Sequence, residues 1–211
     1  MTRVPTRTVF SLSALAVLIT GAVLFAGPLD PPPGSVTSTY KTLTEVEPRI
    51  AINATNTRGD TNSTYKIAQP GSYYLTANIT GMVGKHGIEI AASNVSIDLM
   101  GFSLLGVAGS LDGIATEGLR DNLTIRNGVV TGWGSDGINL TTGGTGSNAL
   151  IEAIITSTNG GTGIRPGSHA VVHHCVAQNN AALGILLPSN GVVSECSADD
   201  NGITGMNGGE G

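Results

Sequence analysis

The sequence predicts an all-β solenoid, a coil of short parallel strands behind an N-terminal apolar segment. Three observations point to it. Two residue markers recur in step along most of the chain. The composition is rich in glycine, with 31 of 211 residues, and only 12% of residues are charged. The long apolar run near the N-terminus follows two arginines. A helical bundle would carry more Glu, Lys, Leu and Ala on its faces. Abundant Gly and Asn among Ile, Val and Thr instead suit many short strands joined by tight turns.

Thr8 to Leu29 contains no charged residue, and Arg3 and Arg7 precede it. Its core, Val9 to Ala26, lies between the ~7–15 residues of a signal peptide and the ~17–25 of a spanning helix. Residues 1–27 are therefore expected to be a cleaved signal or a retained anchor helix. The flanking arginines predict the N-terminus inside and the domain outside, secreted, periplasmic or membrane-tethered. Residues 28–63 read as a linker, stiffened by Pro31, Pro32 and Pro33, and an N-terminal segment. Lys41 to Arg49 is expected to form a helical turn or two, ended by Pro48, and Asn53 to Ser63 a polar loop. A first strand region is expected over Tyr65 to Thr80, and the solenoid over residues 64–211.

The repeat decides the fold. Gly-Ile occurs at Gly87-Ile88, Gly113-Ile114, Gly137-Ile138, Gly163-Ile164, Gly184-Ile185 and Gly202-Ile203, in steps of 26, 24, 26, 21 and 18. Interleaved with it are Asn94-x-x-Ile97, Asn122-x-x-Ile125, Asn148-x-x-Ile151, His169-x-x-Val172 and Asn190-x-x-Val193, in steps of 28, 26, 21 and 21. Fixed-period self-similarity of this kind marks a solenoid. The dense leucine pattern of leucine-rich repeats is missing, and helical repeats and propeller blades have longer periods. Ile97, Ile125, Ile151, Val172 and Val193 should form one buried column. The Asn residues should take left-handed bends, which they tolerate.

The chain resembles the right-handed parallel β-helix proteins of the pectin-lyase-like superfamily, and most of all exported bacterial members of unassigned role. The likeness is carried by Lys41-Thr42-Leu43, Glu45-Val46-Glu47-Pro48-Arg49 and Gln69-Pro70-Gly71-Ser72-Tyr73-Tyr74-Leu75-Thr76. It continues through Asn94-Val95-Ser96-Ile97-Asp98-Leu99, Gly101-Phe102 and the Gly-Ile coils. It implies a right-handed parallel β-helix of about five to six coils, whose opening rung is shielded by the segment around Tyr73. It does not imply an activity. The paired Asp, Gly-His-Gly and Arg-Ile-Lys motifs of the family's hydrolases cannot be mapped here. The one paired Asp, Asp199-Asp200, lies in a predicted bend.

Stacking converts the repeat into a map of candidate sites. The residue after each second marker gives an outward column: Asp98, Arg126, Glu152, His173, Ser194. The simpler reading is a solvated salt-bridge ladder, in which Asp98→Asn and Glu152→Gln change stability little. The sharper reading is a saccharide-cleaving groove. Asp98 and Glu152, two rungs apart, would be about 9–10 Å from each other, near the upper limit of roughly 9.5 Å for an inverting pair. Arg126 between them would hold an acidic sugar.

Asp112 and Asp136 share a column with His86 and read as turn-formers rather than calcium ligands. Trp133, in Gly132-Trp133-Gly134, is a candidate for stacking on a sugar, although a packing role is the simpler one. Cys175 and Cys196 lie one coil apart. They are either two core thiols or, after export, a disulfide. His169, His173, His174 and Cys175 form no spaced ligand motif, so neither a metal nor another cofactor is predicted. Six Asn-x-Ser/Thr sequons are expected by chance in an Asn- and Thr-rich repeat.

Of the 10 Lys and Arg in the chain, Arg3 and Arg7 flank the apolar segment, and the rest are outnumbered by 15 Asp and Glu. This excludes the basic footprint of a nucleic-acid binder. The expected roles are a non-catalytic surface or envelope module touching carbohydrate, a polysaccharide lyase or hydrolase, or a self-associating structural element. Thr204 to Gly211 is expected to leave the last coil incomplete, the mark of a truncated solenoid or of edge-to-edge pairing.

Overall fold

The computed structural model describes residues 47–141, 146, 148–188 and 190–208. The apolar N-terminal run, the Pro-rich linker and most of the Lys41–Arg49 segment lie outside the described residues. No described helix is long and apolar enough to cross a membrane.

Among the described residues, eighteen short strands stack in parallel into a solenoid. Seven form one wall: β2 (Ser63–Ile67), β5 (His86–Ile90), β8 (Ile114–Thr116), β10 (Ile138–Asn139), β12 (Ile164–Arg165), β15 (Ile185–Leu187) and β18 (Met206–Gly208). The other eleven form a folded second sheet. One limb of it holds β1 (Ile50–Ala51), β3 (Gly71–Tyr74), β6 (Val95–Asp98), β13 (Val171–His173) and β16 (Val192–Ser194). The other holds β4 (Ile79–Thr80), β7 (Ser103–Leu105), β14 (Val176–Gln178) and β17 (Ser197–Asp199). The long strands β9 (Leu123–Thr131) and β11 (Leu150–Ser157) run through both limbs.

Register confirms the repeat. Tyr73, Ile97, Ile125, Ile151, Val172 and Val193 pair in succession. Ile97, Ile125, Ile151 and Val172 are fully buried, and Val193 is partly buried. The second marker makes its bend as expected. Asn94, Asn122, Asn148, His169 and Asn190 all have φ between 52° and 63°, in the left-handed region where Asn is enriched. Stacked amides also bond along this edge. Asn122 Nδ2 donates to Asn94 Oδ1 at 2.9 Å, and Asn148 Nδ2 to Asn122 Oδ1 at 3.4 Å.

Three expectations need correction. The Tyr65–Thr80 region is three strands, because the chain turns a corner after Ile67 and again after Tyr74. The solenoid also begins earlier than residue 64, since Ile50 pairs with Tyr73. Tyr73 is thus a buried rung member, not the outermost one among the described residues. Finally, Gly202-Ile203 is not a coil marker. Ile185 pairs with Met206, Gly184 donates its N–H to Thr204, and Ile203 is 71% exposed. The last step, Ile185 to Met206, therefore matches the step from Ile164 to Ile185 before it. Met206–Gly208 completes a rung that the sequence pattern left open.

One inward column narrows along the solenoid. On the second limb the inward column runs Leu104, Val130, Thr156, Ala177, Ala198. Its side chains shrink as the coils shorten.

Candidate functional site

The outward column exists as the sequence predicted: Asp98, Arg126, Glu152, His173 and Ser194 pair in succession on β6, β9, β11, β13 and β16. It is not an evenly solvated ladder. Asp98 is only 5% exposed. Its Oδ1 accepts the Met100 N–H at 2.9 Å and an Asn127 amide hydrogen at 3.2 Å. Its Oδ2 accepts from Arg126 Nε at 3.1 Å, with Arg49 Nη1 at 3.5 Å. Arg49 comes from the segment before β1. It also lies 4.8 Å over the Tyr74 ring and grips Glu47 through two bonds of 2.7 Å.

Burial works to raise the pKa of Asp98. The Met100 N–H, the Asn127 amide and Arg126 outweigh it, so the carboxyl stays below its ordinary value. Its contribution to stability is therefore complete above the unfolded pKa of roughly 3.9 and is lost as pH falls through the lower folded value. This revises the expectation for Asp98→Asn. The variant should lose about 1.5–3 kcal/mol at neutral pH, the value of hydrogen bonds to a charged group. Urea unfolding against pH should show the gap between wild type and variant steady near neutrality and closing only in acid.

Glu152 has a different environment. Arg126 turns its Nε towards Asp98, and among the described residues the Glu152 carboxylate makes no hydrogen bond or ion pair. Its neighbours are His173 and His174. One ligand atom each from Glu152, His173 and His174 lies within 4.8 Å of the others. Strand alternation should have sent the two histidines to opposite sides. Instead His174 has φ 50°, and this left-handed bend brings the rings to 3.7 Å between centroids. His173 Nδ1 bonds Ser194 Oγ at 2.9 Å, and His174 Nε2 meets Glu195 Oε2. His169 does not join them; it sits in the Asn bend column.

The remaining candidates are structural. Trp133 is 1% exposed, so it offers no face for a sugar. Its Nε1 donates to the Leu104 carbonyl at 3.2 Å. Cys175 is buried and Cys196 partly buried, both as free thiols. Cys175 Sγ lies 3.2 Å from the His173 carbonyl, and burial pushes its pKa up to about 12. His86, Asp112 and Asp136 form a ladder as expected of turn-formers. His86 Nδ1 accepts the Asp112 N–H at 3.2 Å, Asp112 Oδ1 that of Asp136 at 2.9 Å, and Asp136 Oδ1 that of Thr162 at 2.6 Å.

Two arrangements escaped sequence reasoning. Lys66 Nζ gathers Asp60 and Glu117 at 2.9 Å and Glu89 at 3.3 Å. The Asp60 hydrogen bond is the largest influence raising its pKa. Deeper in, Asn159 and Asn180, each 1% exposed, and Asn201 form an internal amide ladder. Their equal spacing, 21 and 21, was visible as a third marker.

The right handed beta helix region family matches residues 76–210, well over half of the chain. No curated protein and no solved structure matches it. Parallel register in every named strand pair, asparagine-lined bends and the family match agree, and the chain belongs to the right-handed β-helix repeat family.

Proposed function

We propose that the chain is a non-catalytic surface or envelope module, exported or tethered by its N-terminal apolar segment, which presents its outer strand face to carbohydrate. The observation that carries this reading is the state of Asp98. A glycosidase needs one carboxyl held protonated to serve as acid and a second as base or nucleophile. Asp98 has both oxygens engaged, two arginines beside it, and a lowered pKa. It is a strut between the first rungs, not a poised acid. The stacked amides of Asn94, Asn122 and Asn148, exposed at the bends, are groups of the kind that hydrogen-bond sugar hydroxyls.

A glycan array, with reducing-end and unsaturated-product assays on the glycans bound, tests both halves. The expected result is retention of a glycan with no product, the same in wild type, Asp98→Asn and Glu152→Gln. Turnover in the wild type, lost in either variant, would establish the lyase or hydrolase instead. No retention of any glycan would remove the carbohydrate contact.

A further inference from the structure

We infer that Glu152, His173 and His174 form a binding site for a late first-row divalent metal ion, with zinc as the best-fitting member. Two imidazoles and one carboxylate are a recurrent zinc donor set that leaves a fourth position open. The three ligand atoms are within 4.8 Å of one another. Zinc with bonds of about 2.0–2.2 Å needs its ligands roughly 3.4 Å apart. Small side-chain rotations of Glu152 and His174 close that gap. Glu152 is half-buried and uncommitted, and His174 is 53% exposed on its side chain.

The surroundings support the same conclusion. Ser194 on the next rung holds His173 Nδ1, an outer hydrogen bond of the type that orients the ring and leaves Nε2 for a metal. Arg126, the nearest cation in the column, turns its Nε towards Asp98. Glu195 meets His174 Nε2, and an ion bound through that nitrogen would replace this contact. The thiols take no part, since Cys175 Sγ faces the carbonyls of Ile151 and His173. A hard ion such as magnesium, which prefers an octahedron of oxygens, fits poorly. Glu152 and His173 come from strands paired in fixed register, and His174 from the bend that directly follows β13, so the site is built by the solenoid and needs no long loop to fold around the ion.

The experiment is calorimetric titration of the full chain, without a polyhistidine tag, using zinc chloride and then magnesium chloride. Cobalt(II) spectra report the donor atoms. One zinc per chain is expected, with no heat from magnesium and with cobalt bands free of thiolate charge transfer. Glu152→Gln, His173→Gln and His174→Asn should each weaken zinc binding at least tenfold. Ser194→Ala should weaken it by roughly 10–100-fold, the range for an outer hydrogen bond. His169→Asn, which restores the residue usual in its column, should leave affinity unchanged. His174→Asn suits the left-handed bend and keeps the test readable should His173→Gln fold poorly. Absence of zinc binding, affinity indifferent to Glu152→Gln and His174→Asn, or a cobalt–thiolate band would each overturn the proposal.

Discussion

Replacing Trp133 with alanine is expected to destabilise the domain by about 3–5 kcal/mol, the range for loss of a buried aromatic side chain. Trp133 is the one tryptophan of the chain and sits in the wide part of the core. The backbone has been cleared to admit it. A Cβ at Gly81 would fall 2.8 Å from the indole, at Gly87 2.6 Å, and at Gly113 3.0 Å from Nε1. The ring is thus enclosed by three glycines of two strand walls, which cannot move inwards to fill the space it leaves. Its removal also strips the Leu104 carbonyl of a donor. Urea unfolding followed by far-UV circular dichroism measures the loss, because the variant has no tryptophan to report. Trp133→Phe should fall between wild type and Trp133→Ala, keeping one aromatic ring but neither the full volume nor the N–H. A loss below about 1 kcal/mol in Trp133→Ala would mean that the core collapses around the gap.

Asn180→Ala is the second large effect, expected at about 2–5 kcal/mol from several buried groups left without partners at about 1–3 kcal/mol each. Asn180 Oδ1 accepts from the backbone N–H of Asn159 at 3.2 Å and from its side-chain amide at 2.9 Å. Asn180 Nδ2 donates to Asn201 Oδ1 at 3.0 Å and to the Thr156 carbonyl at 3.4 Å. The ladder ends on Trp133, whose backbone N–H donates to Asn159 Oδ1 at 3.1 Å. There the indole takes over the task of the amide: Nε1 reaches Leu104 O as Asn159 Nδ2 reaches Val130 O, each 29 residues back. The two effects should therefore be coupled. A double variant with Trp133→Phe, measured by the same urea titration, should lose less than the sum of the single losses.

Much of the fold was legible because its two markers report different corners of the same coil. The Asn marker needs a left-handed bend and the apolar residue three positions on needs the interior, so agreement between them fixed the register. Where one marker stood alone, it misled. Gly202-Ile203 repeats the words of the earlier steps, but in the last coil the matching pair is Gly205-Met206. The aligned column Asp98, Arg126, Glu152, His173, Ser194 was also readable, since register follows from spacing. Its chemistry was not. Asp98 is sealed by Arg49, which lies far earlier in the chain and outside the repeat. The meeting of His173 with His174 depends on a backbone torsion at His174 that overrides alternation. The packing role of Trp133 was legible but its pocket was not, because the glycines that enclose it, Gly81, Gly87 and Gly113, come from earlier coils.

The narrowing of the core from Leu104 through Val130 and Thr156 to Ala177 and Ala198 gives the solenoid a mechanical polarity. Each rung holds its neighbour through a similar row of backbone hydrogen bonds, but the apolar area sealed between rungs shrinks with the column. In a linear array, where stability is a sum of nearest-neighbour couplings, the narrow coils are the weaker links. Under tension they would peel first, turn by turn, while the wide coils around Trp133 held. The protein would behave less as a rod that snaps than as a spring whose narrower turns open first.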